Sequence, residues 1–256
     1  MDNVVVRKAR RLPGFVRMLH DKGGAKGVVT ELGDYAWSYA SYPFLHQKRS
    51  AEPFHVFGRS IPYVRHHFNR AWRNERSVEL ALAHDFLAGT PPGRTLEIGN
   101  VMSHYGPVDH DVLDRYEEAP GVINEDVVDH TPAERYHRVL SISTLEHVGW
   151  DERPRDPEKV LRAIDNMRRM LAPGGAVLVT AALGQNPHLD EYVRSERLGL
   201  PVQVLLRRIS DDNRWVEVDL ADTEDARYGS PYKAGNVLFV GVIPVDGGWP
   251  YHPVAS

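Results

Sequence analysis

The stretch RTLEIGNVMSHYG, residues 94–106, has the pattern of a buried strand that ends at a ligand-binding loop. Residues 95–98 form a short apolar run with Glu97 inside it, and Gly99 closes the run. A buried acidic side chain is costly unless it is paired or used, and glycine at the end of a parallel strand leaves room for a ligand. The glycines of a dinucleotide fingerprint do not follow, because residues 100–102 read NVM. A nucleotide-like ligand and a plain turn both remain open interpretations.

Composition narrows the classes of protein to which the chain can belong. Its 256 residues, 42% hydrophobic and 26% charged, are typical of one globular domain with an extension. A net charge of −4 argues against a nucleic-acid-binding surface, and no apolar run approaches the roughly 20 residues of a membrane span. Zero cysteines exclude disulfides, thiolate metal sites and a cysteine nucleophile. We expect a cytoplasmic protein that contacts neither nucleic acid nor membrane. The sequence does not specify the oligomeric state and is compatible with a homodimer.

Helix and strand patterns alternate from residue 74 onward. The clearest unit is a helix capped at Asp156, followed by Pro-Gly-Gly and the apolar strand 176–180, which indicates a right-handed parallel crossover. Only 39 residues separate Gly99 from Arg138, which leaves little room for two full crossover helices. The other predicted elements are a helix from Asn74 to Gly89, strands at 111–114, 121–129, 138–143, 205–209, 214–218 and 236–243, and a loop-rich insert at 184–201.

These patterns divide the chain into three parts. Residues 1–73 lack a clean period, and we interpret them as an N-terminal cap or lid segment. Residues 74–246 form the α/β domain, and residues 247–256, rich in glycine and proline, form a loose tail.

The N-terminal segment holds many aromatic residues among glycines, prolines and charges. Such a segment either packs as a cap or walls a pocket. Within it, Arg65, Asn69 and Arg73 would either contact an anionic or sugar-like acceptor or belong to the solvated face of an amphipathic helix.

Three stretches resemble the class I S-adenosylmethionine-dependent methyltransferase family: LEIGN at 96–100, LSISTLEHVG at 140–149 and MLAPGGAVLVT at 170–180. The likeness covers roughly residues 75–245. It implies a doubly wound, mostly parallel seven-stranded sheet, the Rossmann-like methyltransferase fold, in which 236–243 is the natural antiparallel last strand. The sequence departs from the family pattern in the glycine loop, where the chain continues from Gly99 without the further glycines that the family has there.

The resemblance also implies S-adenosylmethionine as the cofactor. The residues that match the family's cofactor contacts are Glu97, Gly99 and Asn100 near the methionine part, Asp114 at the ribose hydroxyls, Asp126 and Val127 at the adenine, and Ser143 and Leu145 beside the transferring methyl group. Ionised carboxylates only accept hydrogen bonds, which suits hydroxyls and an exocyclic amine. Two alternatives stay open: Asp129 in place of Asp126, and a Glu97 carboxylate that binds the amides of a neighbouring loop.

Three residues are candidates for a catalytic role. His147 lies where the acceptor would meet the methyl group, and histidine titrates near neutral pH. Its structural alternative is to brace Glu146 and the following loop. His104 and Tyr105 form a second polar pair in the altered loop. A dedicated base is not required, because methyl transfer depends mainly on alignment.

The leading hypothesis is methyl transfer from S-adenosylmethionine to an oxygen or nitrogen of a small polar acceptor, sugar-like or a natural product. Alternatives are a non-catalytic binding or scaffold protein on the same fold, and an enzyme that uses the same pocket for another reaction. An NAD-type dehydrogenase is disfavoured because its glycine fingerprint is absent. No helical histidine pair with metal spacing occurs, so we predict no required metal.

Overall fold

The computed structural model describes residues 24, 27–48, 51–244 and 249. The chain divides into two compact units, Met1–His46 and Gln47–Ser256. In the first unit, helix α1 covers residues 27–45. The predicted cap of residues 1–73 therefore includes parts of both units, and its role as a lid stays a prediction. Of the predicted tail, 247–256, only the buried Trp249 lies among the described residues.

Among the described residues, the second unit contains a large sheet, a small hairpin and three α-helices. The hairpin consists of β1 (Phe54–Val56) and β2 (Arg59–Ile61), and the helices are α2 (Arg76–Gly89), α3 (Lys159–Met170) and α4 (Pro187–Arg194). The strands of the sheet are β3 (Thr95–Ile98), β4 (Asp111–Leu113), β5 (Val122–Ile123), β6 (Tyr136–Ile142), β7 (Leu171–Ala182), β8 (Val202–Arg208), β9 (Trp215–Val218) and β10 (Val237–Ile243). Their order across the sheet is β5-β4-β3-β6-β7-β10-β8-β9.

The first five strands in this order are parallel, and the remaining pairings are antiparallel. The predicted α/β class with a mostly parallel, doubly wound sheet is confirmed, and so is the antiparallel strand at 236–243. The sheet has eight strands instead of seven, because β9 adds an antiparallel edge next to β8.

Helices cover both faces of the sheet. On one face, α2 buries Val78, Leu82 and Phe86 in a core shared with the β1–β2 hairpin. On the opposite face, α3 buries Ile164 and Met167 against the other side of the same strands. The two helices predicted from apolar periodicity are thus confirmed. The predicted cap at Asp156 is wrong: α3 begins at Lys159 after Glu158, and the Asp156 carboxylate pairs with Arg162. Among the described residues, no helix is long and apolar enough to cross a membrane.

The half of the sheet that contains β3, β4 and β5 is abbreviated. No α-helix lies between residues 99 and 135, all of which the structure describes, and only a 3-10 turn, Met102–His104, follows β3. The predicted shortage of room for crossover helices is confirmed. The strand predicted at 121–129 was too long. It ends at Ile123, because the Asp126 carboxylate accepts the amide of Val128 (3.2 Å) and turns the chain.

A buried carboxylate, in the absence of a crossover helix, fixes the connection between β3 and β4. The side chain of Glu97 is fully buried, and its Oε1 accepts hydrogen bonds from the backbone amides of Val101 (2.9 Å) and Met102 (2.8 Å). Its Oε2 lies 2.9 Å from Nε2 of His110. These bonds tie both ends of the β3–β4 connection to the sheet, since His110 directly precedes β4.

The insert 184–201, predicted to be loop-rich, contains helix α4. Asn186 caps this helix, because its Oδ1 accepts the amides of His188 (3.0 Å) and Leu189 (3.2 Å). Pro187 occupies the first helical position. An asparagine followed by proline is a recognised start signal for a helix, and the sequence interpretation missed it.

Replacement of Glu97 by alanine is expected to lower the free energy of unfolding by roughly 3 kcal/mol or more, because two amides and an imidazole lose a buried acceptor. Urea denaturation measures this change. The matched control is Glu118→Ala, an exposed glutamate in the following connection, which should stay within about 0.5 kcal/mol of the parent protein. Equal stabilities of the two variants would contradict the anchoring role of Glu97.

Candidate active site

The order of strands places a topological switch point, where such sheets form a crevice, between the ends of β3 and β6. The connection that leaves β3 passes over the face covered by α2, where Met102 is part of that core. The connection that leaves β6 passes over the opposite face through α3. Parallel sheets bind ligands outside the carboxyl ends of the strands at such a topological switch point. The loops that begin at Gly99 and Ser143 flank this crevice.

Position 99 requires glycine for two reasons: its backbone conformation and a close contact with a neighbouring loop. Its φ is +85°, and a Cβ atom at this position would lie 2.0 Å from Oγ1 of Thr144. Its amide donates to the carbonyl of Leu113 (2.8 Å), which joins the ends of β3 and β4. The glycine that marked the stretch in the sequence thus allows the loops after β3 and β6 to approach each other closely.

Asp114, directly after β4, lies beside the Gly99 loop. Its Oδ2 accepts the backbone amide of Asn100 (3.1 Å), and its Oδ1 accepts the amides of Tyr116 (2.8 Å) and Glu117 (2.7 Å). Each carboxylate oxygen has two lone pairs, so Oδ2 retains capacity for a further donor. Asp114 and Asn100, two of the predicted cofactor residues, are therefore neighbours at the strand ends.

Asp126 belongs to an ion-pair cluster. Its Oδ2 lies 2.5 Å from Nζ of Lys159 and 2.6 Å from Nη1 of Arg115, and Glu152 shares both cations. Burial would raise the pKa of Asp126, but the hydrogen bond from Lys159 and the nearby positive charges lower the pKa below its ordinary value. The neighbouring Val127 is buried in the core beneath α3. The role of both residues at an adenine stays a prediction.

The two histidines predicted to be catalytic both lie near the surface. The side chain of His147 is 47% exposed, and its Nδ1 lies 2.7 Å from Oδ2 of Asp151. The His147 side chain therefore braces the following loop through Asp151. Nε2 of His104 lies 3.3 Å from Oε2 of Glu117.

A buried polar cluster that sequence reasoning missed lies where β6 and β7 end. Glu79 of α2 is fully buried, and its Oε1 accepts hydrogen bonds from Oγ of Ser143 (2.6 Å) and Oγ1 of Thr180 (2.9 Å). Its Oε2 lies 3.0 Å from Nη1 of Arg76. These contacts place Ser143, predicted to lie beside the methyl group, within the cluster. Leu145, predicted alongside it, is fully buried in the core on the α3 face.

Two further glutamates complete the cluster. Oε2 of Glu75 accepts the amide of Gly235 (2.9 Å). Glu146 is 2% exposed, and its Oε2 has no hydrogen-bond partner among the residues that the structure describes. Burial raises the pKa of Glu146 to about 7; the adjacent His147 opposes this shift and Glu79 adds to it. Burial, reinforced by Glu79, also raises the pKa of Glu75.

Two tyrosines lie close to these acids. Burial raises the pKa of Tyr105 to about 12, although the nearby Arg76 opposes the shift. The Tyr105 ring meets the rings of His66 and Phe68 edge-on, at centroid distances of 5.2 and 5.4 Å. Tyr228 is 46% exposed as a residue, but partial desolvation and the proximity of Glu75 raise the pKa of its hydroxyl. Tyr105, a predicted catalytic residue, thus adjoins the cluster.

The site is therefore built from strand ends that the sequence predicted and from helix residues that it did not. The spacing Glu75-Arg76-Glu79 at the start of α2 was the available signal. Within the described part of the chain, no group of three or more histidine, aspartate or glutamate side chains is placed to hold a metal ion.

No protein-family profile and no curated protein sequence matches this chain. Similar solved structures include the N-methyltransferase NodS from Bradyrhizobium japonicum WM9 in complex with S-adenosylhomocysteine, which is 16% identical over 66% of this chain and 85% of that chain, with a TM-score of 0.40. A possible histamine N-methyltransferase from Thermotoga maritima is 15% identical over 64% and 88% of the two chains, with a TM-score of 0.39. The glycopeptide N-methyltransferase MtfA is 17% identical over 65% and 90%, with a TM-score of 0.34. At values this low, the likeness carries no argument about activity, which depends on the site residues.

The raised pKa of Glu146 predicts a pH dependence of stability. The folded protein holds a proton on Glu146 between about pH 4.5 and 7 that the unfolded chain releases. The stabilisation that this proton provides is complete below the lower value and is lost as the pH rises towards 7. Relative to Glu146→Gln, the free energy of unfolding of the parent protein should fall by roughly 3 kcal/mol across this window.

Urea denaturation at a series of pH values measures this difference. The control is Glu191→Gln on α4, where the side chain is 57% exposed, and its pH profile should parallel that of the parent. Parallel profiles for the parent and Glu146→Gln would contradict the assignment of a raised pKa to Glu146.

Proposed function

We propose that the protein is a class I S-adenosylmethionine-dependent methyltransferase that acts on an oxygen or nitrogen of a small polar acceptor, sugar-like or a natural product. The observation that carries the proposal is the topological switch point between β3 and β6. There Gly99, Asp114 and Ser143 follow three parallel strands of one sheet, beside a buried polar cluster. Its cytoplasmic location and a homodimer stay predictions from the sequence.

The residues at the crevice fit the cofactor. Asp114 retains a free acceptor position that suits the ribose hydroxyls, and the buried Asn100 lies beside it. Asp126 would face the adenine while it stays paired with Lys159. When bound, S-adenosylmethionine supplies a methyl group on a positively charged sulfur. Glu97 would support the cofactor indirectly, because its carboxylate binds the backbone amides of the loop that shapes the crevice.

On the acceptor side, the protein supplies orientation. Glu79 holds the hydroxyls of Ser143 and Thr180 in fixed directions where β6 and β7 end. Fixed groups of this kind position an acceptor without reorganisation, and alignment supplies much of the rate enhancement in displacement reactions. His147 and Tyr105 remain candidates for proton transfer, with His147 at the exposed margin of the site and Tyr105 beside the buried acids.

A non-catalytic binding protein on the same fold is the second candidate. The observation that favours it is the engagement of Asp114 and Asp126 by the protein's own amides and cations. Cofactor binding without turnover over a broad acceptor panel would support this alternative. A different reaction in the same pocket would be recognised by the mass of the product.

Calorimetric titration with S-adenosylhomocysteine tests the proposal. The parent protein should bind it, and Asp114→Ala should weaken the affinity by about tenfold or more, because a charge-assisted hydrogen bond to the ribose is lost. The exposed Asp109→Ala in the preceding loop is the matched control and should bind as the parent does. Circular dichroism verifies that both variants fold. No detectable heat with the parent protein at millimolar ligand would contradict the proposed function.

A further inference from the structure

The inference concerns the buried polar cluster of Glu75, Arg76, Glu79 and Glu146, and it rests on the proposed methyl transfer. We infer that the acceptor carries a protonated amine, and that Glu79 and Glu146 bind this ammonium group. The amine identifies the acceptor class. The methylated atom is either another polar atom of the same molecule, or this nitrogen after it has given a proton to the Glu146 carboxylate and regained its lone pair.

Carboxylate oxygens of the cluster are short of hydrogen-bond donors. Glu79 and Glu146 are 0% and 2% exposed; within the described ranges Oε2 of Glu146 has no hydrogen-bond partner, and Oε2 of Glu79 has only its ion-pair contact with Arg76. Buried carboxylate oxygens without donors are rare in folded proteins, because desolvation is expensive. An ammonium group offers three donors and no acceptor, so it suits such oxygens. Glu75 is less able to bind an ammonium group, since the amide of Gly235 already donates a hydrogen bond to its Oε2.

The charges of the cluster are unbalanced once its acids ionise. Among the described residues, three buried glutamates lie near the guanidinium of Arg76, so the fully ionised cluster carries an excess of negative charge. The charge of Arg76 lies 3.0 Å from Glu79, but both atoms of this contact remain without a hydrogen bond in the part of the chain that is described. A bound cation would restore charge balance in a place from which water is excluded. A neutral alcohol would leave the excess uncompensated.

An aromatic surface lies next to the acids. Tyr105 lies close enough to Arg76 and Glu79 for their charges to affect its pKa, and it contacts the rings of His66 and Phe68. Aromatic faces attract ammonium groups, and aromatic rings also cover the apolar body of an organic amine. Acids in the interior and aromatic rings beside them together suit an organic cation.

The charges around Glu146 determine how amine binding depends on pH. Glu79 and Arg76 face it from α2, His147 adjoins it in the chain, and Tyr228 lies near it. Since burial raises the pKa of Glu146 to about 7, the carboxylate forms only as the pH rises through neutrality. Amine affinity should therefore increase from pH 6 to pH 8, a range in which ordinary alkylamines stay protonated.

The test is calorimetric titration, without cofactor, of matched amines and alcohols whose amines stay protonated at pH 8: butylamine with butanol, and phenethylamine with phenethyl alcohol. We expect at least one amine to bind about tenfold or more tightly than its alcohol at pH 8, and Glu146→Gln to remove both this preference and its rise with pH. The exposed Glu191→Gln is the control and should keep both. If Glu79→Gln folds, it should also weaken amine binding.

Equal affinity for amine and alcohol in every pair, or no binding of any amine at millimolar concentration, would overturn the inference. A preference that persists in Glu146→Gln would overturn the assignment to this cluster. Titration of the same samples with S-adenosylhomocysteine separates the two proposals. Binding of S-adenosylhomocysteine without amine preference removes only the amine site, whereas amine preference without S-adenosylhomocysteine binding supports the site and contradicts the methyltransferase proposal.

Discussion

The Glu97 carboxylate, buried in β3 and bonded to two backbone amides and a histidine, is the interaction on which this half of the molecule depends. In a doubly wound sheet, helices normally cover the connections between parallel strands. Here the segment from β3 to β6 contains no such helix, and a single acidic side chain fixes the first connection. The crevice at the end of β3 is consequently built by a short loop tied to Glu97, with Gly99 and Asp114 held at its edge.

The sequence predicted the fold where local pattern and tertiary structure agree. Helices α2 and α3 and the strands of the sheet follow from apolar periodicity, and counting residues between Gly99 and Arg138 anticipated the shortage of room for two full crossover helices. Helix α1 and the β1–β2 hairpin were missed, because residues 1–73 showed no clean period. Two other features failed for identifiable reasons. The strand after Pro120 ends at Ile123 because Asp126 forms a turn, and α4 was missed because its start signal, Asn186-Pro187, lies inside a polar segment.

The candidate site could be predicted only in part. Strand-end residues such as Gly99, Asp114 and Ser143 could be placed at one edge because parallel strands share it. The acids of the cluster could not, because the contact between Glu79 of α2 and Ser143, directly after β6, bridges 64 residues of sequence. Moreover, nearly every residue in the first half of α2 is buried, so helical periodicity gave Glu79 no distinct position. Its importance appears only when the end of β6 is packed against it.

The proposed function requires that the crevice between β3 and β6 hold an adenosine through its hydroxyl donors. A crystal structure of the protein grown with S-adenosylhomocysteine is the decisive measurement. We expect the ribose hydroxyls within hydrogen-bond distance of the Asp114 carboxylate, with the sulfur directed towards Ser143 and the buried acids. A crevice filled by the protein's own side chains, with the ligand elsewhere or absent, would contradict it.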